Sequence, residues 1–169
     1  MKLHIGGKET KEGWSILNIK NNEGVDYVGD ISNLSQFKDN SIKEIYASHV
    51  VEHVPQKKVE KTFEGIYRVL SEKGKFYVSV PDMDVLCRIF IDPKAPPEVK
   101  LHAMQMMFGG QIDEHDFHYV GWNFMFMNNF LKKAGFKKIE RVKSFSMFKD
   151  LSEYAPYGSP ISLNIIAYK

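Results

Sequence analysis

Apolar residues along the chain fall into short runs separated by turn residues. Residues 2–5 form a first run with strand character, followed at once by Gly6-Gly7 and a polar, turn-rich stretch to Gly13. Residues 14–19 are a second run of strand composition, and Asn21-Asn22-Glu23-Gly24 is a turn. Residues 25–28 are a third strand candidate, closed by Gly29-Asp30, and residues 32–37 read as a loop or one helical turn. The next run leaves Lys38-Asp39-Asn40-Ser41, continues from Ile42 to Ala47, and then turns polar and ionisable at Ser48, His49, Glu52 and His53.

From Pro55 the period changes. Val59, Phe63, Ile66, Tyr67 and Leu70 share one face of a helix, and proline is tolerated in its first turn. Residues 71–74 end that helix, with Gly74 expected as a left-handed cap. Residues 76–80 form a strand stopped by Pro81-Asp82. Asp82 is expected to cap a helix through Ile91, which residues 92–97 must break with three prolines. Further helices are expected at about 97–108, ended by Gly109-Gly110, and at about 122–134, ended by Gly135. Residues 111–121 are polar, aromatic and irregular, and residues 136–145 and 161–168 are the last strands.

Strands alternate with helices through the middle of the chain, and two strands close it. This predicts an α/β fold, a mostly parallel sheet with an antiparallel C-terminal edge strand. Parallel neighbours usually need a crossover of a dozen or more residues. Only about eight residues separate the first two runs, and about five the second and third. Either the early crossover helices are shortened to turns, or one run lies outside the sheet. A length of 169 residues favours a single domain, 1–169. A domain of that size buries roughly 70% of its unfolded surface, enough for a core without staples.

Composition narrows the function classes. With 43% hydrophobic and 26% charged residues the chain is an ordinary globular one. A net charge of +2 gives no strong pull toward nucleic acid, and Lys132, Lys133, Lys137 and Lys138 read as a solvated helix end. The single cysteine, Cys87, permits no intramolecular disulfide and fits a reducing cytoplasm. No apolar run is long enough for a membrane span, and no signal pattern opens the chain.

The switch at Ser48 from apolar to ionisable residues is what the carboxyl edge of a parallel sheet looks like, where α/β proteins bind ligands. The same stretch, His49-Val50-Val51-Glu52-His53, spells the H-x-x-E-H pattern of some zinc hydrolases. Pro55 argues against the continuous helix that would pair His49 with His53; a third ligand is not marked, although His115, Asp116 or His118 could serve, and no metal site is assigned. A second ionisable group, Asp113-Glu114-His115-Asp116-Phe117-His118-Tyr119, follows the Gly109-Gly110 hinge. It reads either as a self-bonded polar loop or as an acceptor-site loop. Met104, Met106, Met107, Met125 and Met127, with Phe108, Phe124 and Phe126, read as adaptable core.

Several stretches, in order, resemble class I S-adenosylmethionine (SAM)-dependent methyltransferases. They are residues 3–7, Val28-Gly29-Asp30-Ile31-Ser32, residues 44–53, residues 67–75, the strand 76–80 with Pro81-Asp82, and Ala134-Gly135-Phe136. More closely, they resemble small methyltransferase-like proteins associated with glycan or cell-surface biosynthesis. The resemblance implies a Rossmann-like fold and SAM as cofactor. It places Ile5, Gly6, Gly7 and Ser48 at the methionine end of the cofactor, Asn18 and Ile19 at the ribose, and Gly29, Asp30 and Ile31 at adenine. It places His49, His115 and His118 at the acceptor, as catalytic candidates. The acceptor would be a small molecule or glycan, methylated on oxygen. Two positions depart from the family pattern. Gly6-Gly7 runs into Lys8 without a further glycine, and Asn18 stands where an acidic residue is usual, offering one carbonyl oxygen where a carboxylate offers two. The alternative is a non-catalytic methyltransferase-like scaffold. A homodimer is expected, with no nucleic-acid partner.

Overall fold

The computed structural model describes residues 1–169. Seven strands form one sheet: β1 (Lys2–Ile5), β2 (Trp14–Asn18), β3 (Tyr27–Val28), β4 (Ile42–Ser48), β5 (Leu70–Pro81), β6 (Lys138–Val142) and β7 (Ser162–Tyr168), in the order β3-β2-β1-β4-β5-β7-β6. The first five pair in parallel, and β7 runs antiparallel to both its neighbours. The α/β, mostly parallel reading therefore holds. The antiparallel strand is the C-terminal one, but it lies one place in from the edge, and β6 forms the edge itself.

The early crossovers are turns. Residues 6–13 and 19–26 return the chain with no helix, yet β1, β2 and β3 all pair in parallel. Strands this short make it possible, because an extended chain gains about 3.3–3.6 Å per residue and the return distance is small. In the β3–β4 connection, Arg68 compensates for the missing helix by donating to the carbonyls of Leu34 (2.9 Å) and Phe37 (3.1 Å).

Four helices follow: α1 (Gln56–Val69), α2 (Met83–Ile91), α3 (Pro97–Phe108) and α4 (Phe124–Ala134). The expected glycine cap of α1 does not form. The chain passes directly from Val69 into β5, and Lys73, not Gly74, takes the left-handed conformation (φ 62°). The register shifts there, with Ile42 opposite Leu70 but Glu44 opposite Lys75, so residues 71–74 bulge out of the pairing. Gly74 serves the bulge. A Cβ there would lie 2.7 Å from the Ser71 carbonyl oxygen. The expected cap at Asp82 is present, its carboxylate accepting from Asp84 N–H at 3.0 Å. The helix expected from Trp122 starts at Phe124 behind an Asn123 cap, and the strand expected over 136–145 is confined to Lys138–Val142.

Side chains alternate across the sheet. On one face Leu3, Ile5, Ile45, Ala47, Phe76, Val78, Leu163 and Ile165 join the main core beneath α1 and α4. There Phe63 packs on Trp122 with ring centroids 5.8 Å apart, and Trp122 on Phe130 at 5.6 Å. On the other face His4 and Tyr46 meet Phe148 at 4.1 and 4.8 Å. The Tyr46 hydroxyl donates to Asp150 at 2.6 Å, fastening residues 143–161 over that face. No helix is long and apolar enough to cross a membrane.

Candidate active site

Beyond the carboxyl ends of β1, β2 and β4 lie two adjoining cavities of about 470 and 630 Å³. Both are in the range of small-molecule sites. Gly6, Lys8, His49, His53 and Asp116 line both and form the wall between them.

The first cavity collects most of the residues assigned to a cofactor. Ile5 and Gly6 end β1, Leu17, Asn18 and Ile19 end β2, and Gly29, Asp30 and Ile31 follow β3. Gly6 is sterically required, and Gly29 is tightly packed. Gly6 has φ +75°, and a Cβ there would lie 2.5 Å from Val50 Cγ2. A Cβ on Gly29 would lie 2.8 Å from Gln36 Nε2. Asp30 accepts from Ser32 N–H through Oδ1 at 2.7 Å, which leaves Oδ2 for another donor. Asn18 is more committed. Its amide donates to the Gly7 carbonyl at 3.0 Å, and its oxygen accepts from Lys20 N–H at 3.0 Å. The residue expected at the ribose therefore also braces the glycine loop.

Two assigned residues sit elsewhere. Gly7 and Ser48 line the second cavity and not the first. Gly7 is fixed by a close approach, since a Cβ would lie 2.6 Å from His4 Nδ1. Ser48 Oγ is buried without a hydrogen-bond partner.

The three histidines expected at the acceptor are separated. His49 stands on the shared wall in a left-handed conformation (φ 53°), uncommon for a side-chain-bearing residue. Its Nε2 meets Ser162 Oγ at 3.0 Å and its Nδ1 faces Glu52 at 3.3 Å. His118 faces the second cavity, with Nδ1 3.0 Å from the Met106 carbonyl. His115 lies on the first cavity only, exposed beside Glu114.

The helix-borne pairing of the H-x-x-E-H motif is absent. Val51–His53 is a single 3-10 turn, and His49 precedes it with left-handed backbone. Folding instead gathers Glu52, His53 and His118, whose ligand atoms all lie within 4.8 Å of one another. Burial alone would raise the pKa of Glu52. The hydrogen bond and charge of His49, with His53 and His118 beyond it, outweigh burial and lower it. Burial lowers the pKa of His118.

Sequence reasoning missed the latch across the first cavity. Lys20, just past β2, pairs with Asp113 at 2.6 Å and ties down the 109–121 segment. Within that segment His118 N–H donates to Phe108 and Gln111 N–H to Asp116, both at 3.1 Å. A lysine and an aspartate 93 residues apart carry no sequence signal of their pairing.

A family model described as a methyltransferase domain matches residues 11–78, under half of the chain. No curated protein matches the chain by sequence. A SAM-dependent methyltransferase from Archaeoglobus fulgidus has the same fold, with a TM-score of 0.61 and 17% identity, over 99% of this chain and 85% of that one. A SAM-dependent methyltransferase from Thermotoga maritima gives 0.60 and 14%, over 99% and 81%. The trans-methyltransferase CalH, in complex with SAH, gives 0.57 and 16%, over 98% and 50%. At these identities the likeness establishes the methyltransferase fold. The partial family match, over residues 11–78, agrees with that fold.

Proposed function

We propose that this chain transfers the methyl group of SAM to an oxygen of a small-molecule or glycan acceptor. One observation carries the reading: the ends of the first two strands and the turn after the third converge on one cavity lined by Gly29 and by Gly6, where a Cβ would collide with Val50. The residues present fit the cofactor. Ile19, with the edge of Ile31, offers apolar cover, Asp30 keeps a free carboxylate oxygen for an amino donor, and Gly6 lets backbone approach closely. Bound SAM supplies a methyl carbon on a positively charged sulfur.

What the chain must do is position. Holding a nucleophile in line supplies much of the rate in such a transfer. The second cavity holds the acceptor, with His49 and His118 facing it. Its lining of Lys8, Glu9, Ser48, Gln105 and Asp150 suits a hydroxyl-rich molecule. Gly7 and Ser48 shape this side rather than the cofactor side. His115, on the cofactor side, belongs to the covering segment.

Calorimetry with SAM and S-adenosylhomocysteine tests the reading. The expected result is binding of both, weakened in Asp30→Ala by about ten- to hundredfold, the scale of a hydrogen bond to a charged group, roughly 1.5–3 kcal/mol. No heat at high micromolar ligand would sink the enzyme reading and leave the scaffold. Unchanged affinity in the variant would remove Asp30 from the adenine end.

The latch gives a second test. An exposed ion pair contributes about 0–1 kcal/mol, so Lys20→Ala should leave the melting temperature within a few degrees of wild type. It should speed cofactor dissociation several-fold in stopped-flow displacement. An unchanged dissociation rate would show that the 109–121 segment does not cover the ligand.

A further inference from the structure

The geometry points to a divalent transition-metal site formed by Glu52, His53 and His118 in the wall beside the second cavity. Three features converge. The Glu52 side chain is 1% exposed; His49 Nδ1 lies 3.3 Å from Oε1, and Oε2 has no partner. A buried carboxylate oxygen left without a partner is costly, and a bound cation satisfies it. Each of the two imidazoles keeps one ring nitrogen free. His53 Nδ1 lies 3.1 Å from the Phe117 carbonyl and His118 Nδ1 3.0 Å from that of Met106. A carbonyl only accepts, so each Nδ1 carries the proton and each Nε2 presents its lone pair. That is the outer hydrogen bonding that fixes a metal-binding histidine. The backbone also ties the two halves together, because Tyr119 N–H donates to the Glu52 carbonyl at 2.8 Å.

Two imidazoles and one carboxylate select transition metals such as Zn²⁺, Co²⁺ or Mn²⁺ over Mg²⁺ and Ca²⁺, which prefer all-oxygen shells. Three protein ligands leave at least one position open. His53 and His118 both face the second cavity, so the open position takes an oxygen of the acceptor. This last step rests on the methyltransferase reading; the ion site itself does not. Coordination lowers the pKa of the acceptor hydroxyl, and its proton leaves to water. His49, with Nδ1 3.3 Å from Glu52, is a positioning residue for the carboxylate.

The test uses the full chain, stripped with chelator and titrated with Co²⁺ and Zn²⁺ by calorimetry and by visible absorption of Co²⁺. The expected result is one ion per chain, with Glu52→Gln and His118→Gln each weakening binding at least about tenfold. His102→Gln, which removes a histidine partnered by Tyr157 outside the cluster, should leave binding unchanged. Circular dichroism checks that each variant is folded. No stoichiometric binding by wild type, or binding that survives both substitutions, overturns the site. SAM binding by the same metal-free protein separates the two readings. Metal binding without SAM binding keeps the site and sinks the methyltransferase reading. SAM binding without metal binding does the reverse.

Discussion

Alanine at Gly6 should lower SAM affinity by about a hundredfold or more. Two penalties act at this position. Its φ of +75° is a conformation that costs a residue with a Cβ about 1–3 kcal/mol. The added Cβ would also sit 2.5 Å from Val50 Cγ2, and overpacking of that kind costs about 1–3 kcal/mol. The loop can escape both only by leaving its place between β1 and the turn after β4, and that place shapes the first cavity. Restoring the binding conformation then draws on the binding energy. Together the two terms come to roughly 3 kcal/mol, and each 1.4 kcal/mol is a factor of ten. Gly13→Ala is the control. Gly13 has φ +80° with nothing within 4 Å of a Cβ, so it carries the strain without the collision or the cavity. Calorimetry on both variants, with thermal melts to confirm folding, decides it. Wild-type affinity in Gly6→Ala would show that the loop does not cradle the ligand.

The protein should lose about 3 kcal/mol of stability between pH 6.5 and pH 4 through His4 alone. Burial lowers the pKa of His4 to about 4, partly opposed by Asp150. The ring lies 6% exposed between Tyr46 and Phe148. Below its ordinary value of 6.5 the unfolded chain takes up a proton that the native state refuses until about pH 4. The unfolded state binds more protons across that window, so stability falls as pH falls and is complete above it. A shift of that size, at about 1.4 kcal/mol per unit, gives the figure of about 3 kcal/mol. Other groups add their own acid dependence, so the difference from His4→Phe isolates this one. Phenylalanine keeps an aromatic ring against Tyr46 and Phe148 without the titration. Urea unfolding at pH 7.5 and 4.5 should show the variant losing about 3 kcal/mol less than wild type. Equal losses would mean that His4 is solvated and free to protonate.

The sequence by itself determined the alternation of elements, because strand and helix periods depend on local spacing. Val59, Phe63 and Ile66 mark α1 wherever it packs, and the apolar run of β4 ends at Ser48 in sequence as in space. The first cavity was legible through the family resemblance, which placed Ile5, Asn18 and Asp30 at one ligand. The sheet brings them together because the ends of neighbouring parallel strands fall at one edge. Local spacing left open how β1, β2 and β3 could pair in parallel across so few residues. The sheet resolved this with short strands and with Arg68 binding the carbonyls of the third connection. The Gly74 cap does not form because the chain has already joined the sheet at Leu70, and residues 71–74 are the bulge between its pairing with Ile42 and that of Lys75 with Glu44. Tertiary structure alone brought Lys20 to Asp113 and His118 to Glu52 and His53. Their sequence separations are long, and a polar side chain carries no periodic signal of its partner. The H-x-x-E-H string offered His49 and His53 as a pair. The 3-10 turn turned His49 aside, and the 109–121 segment supplied the second imidazole.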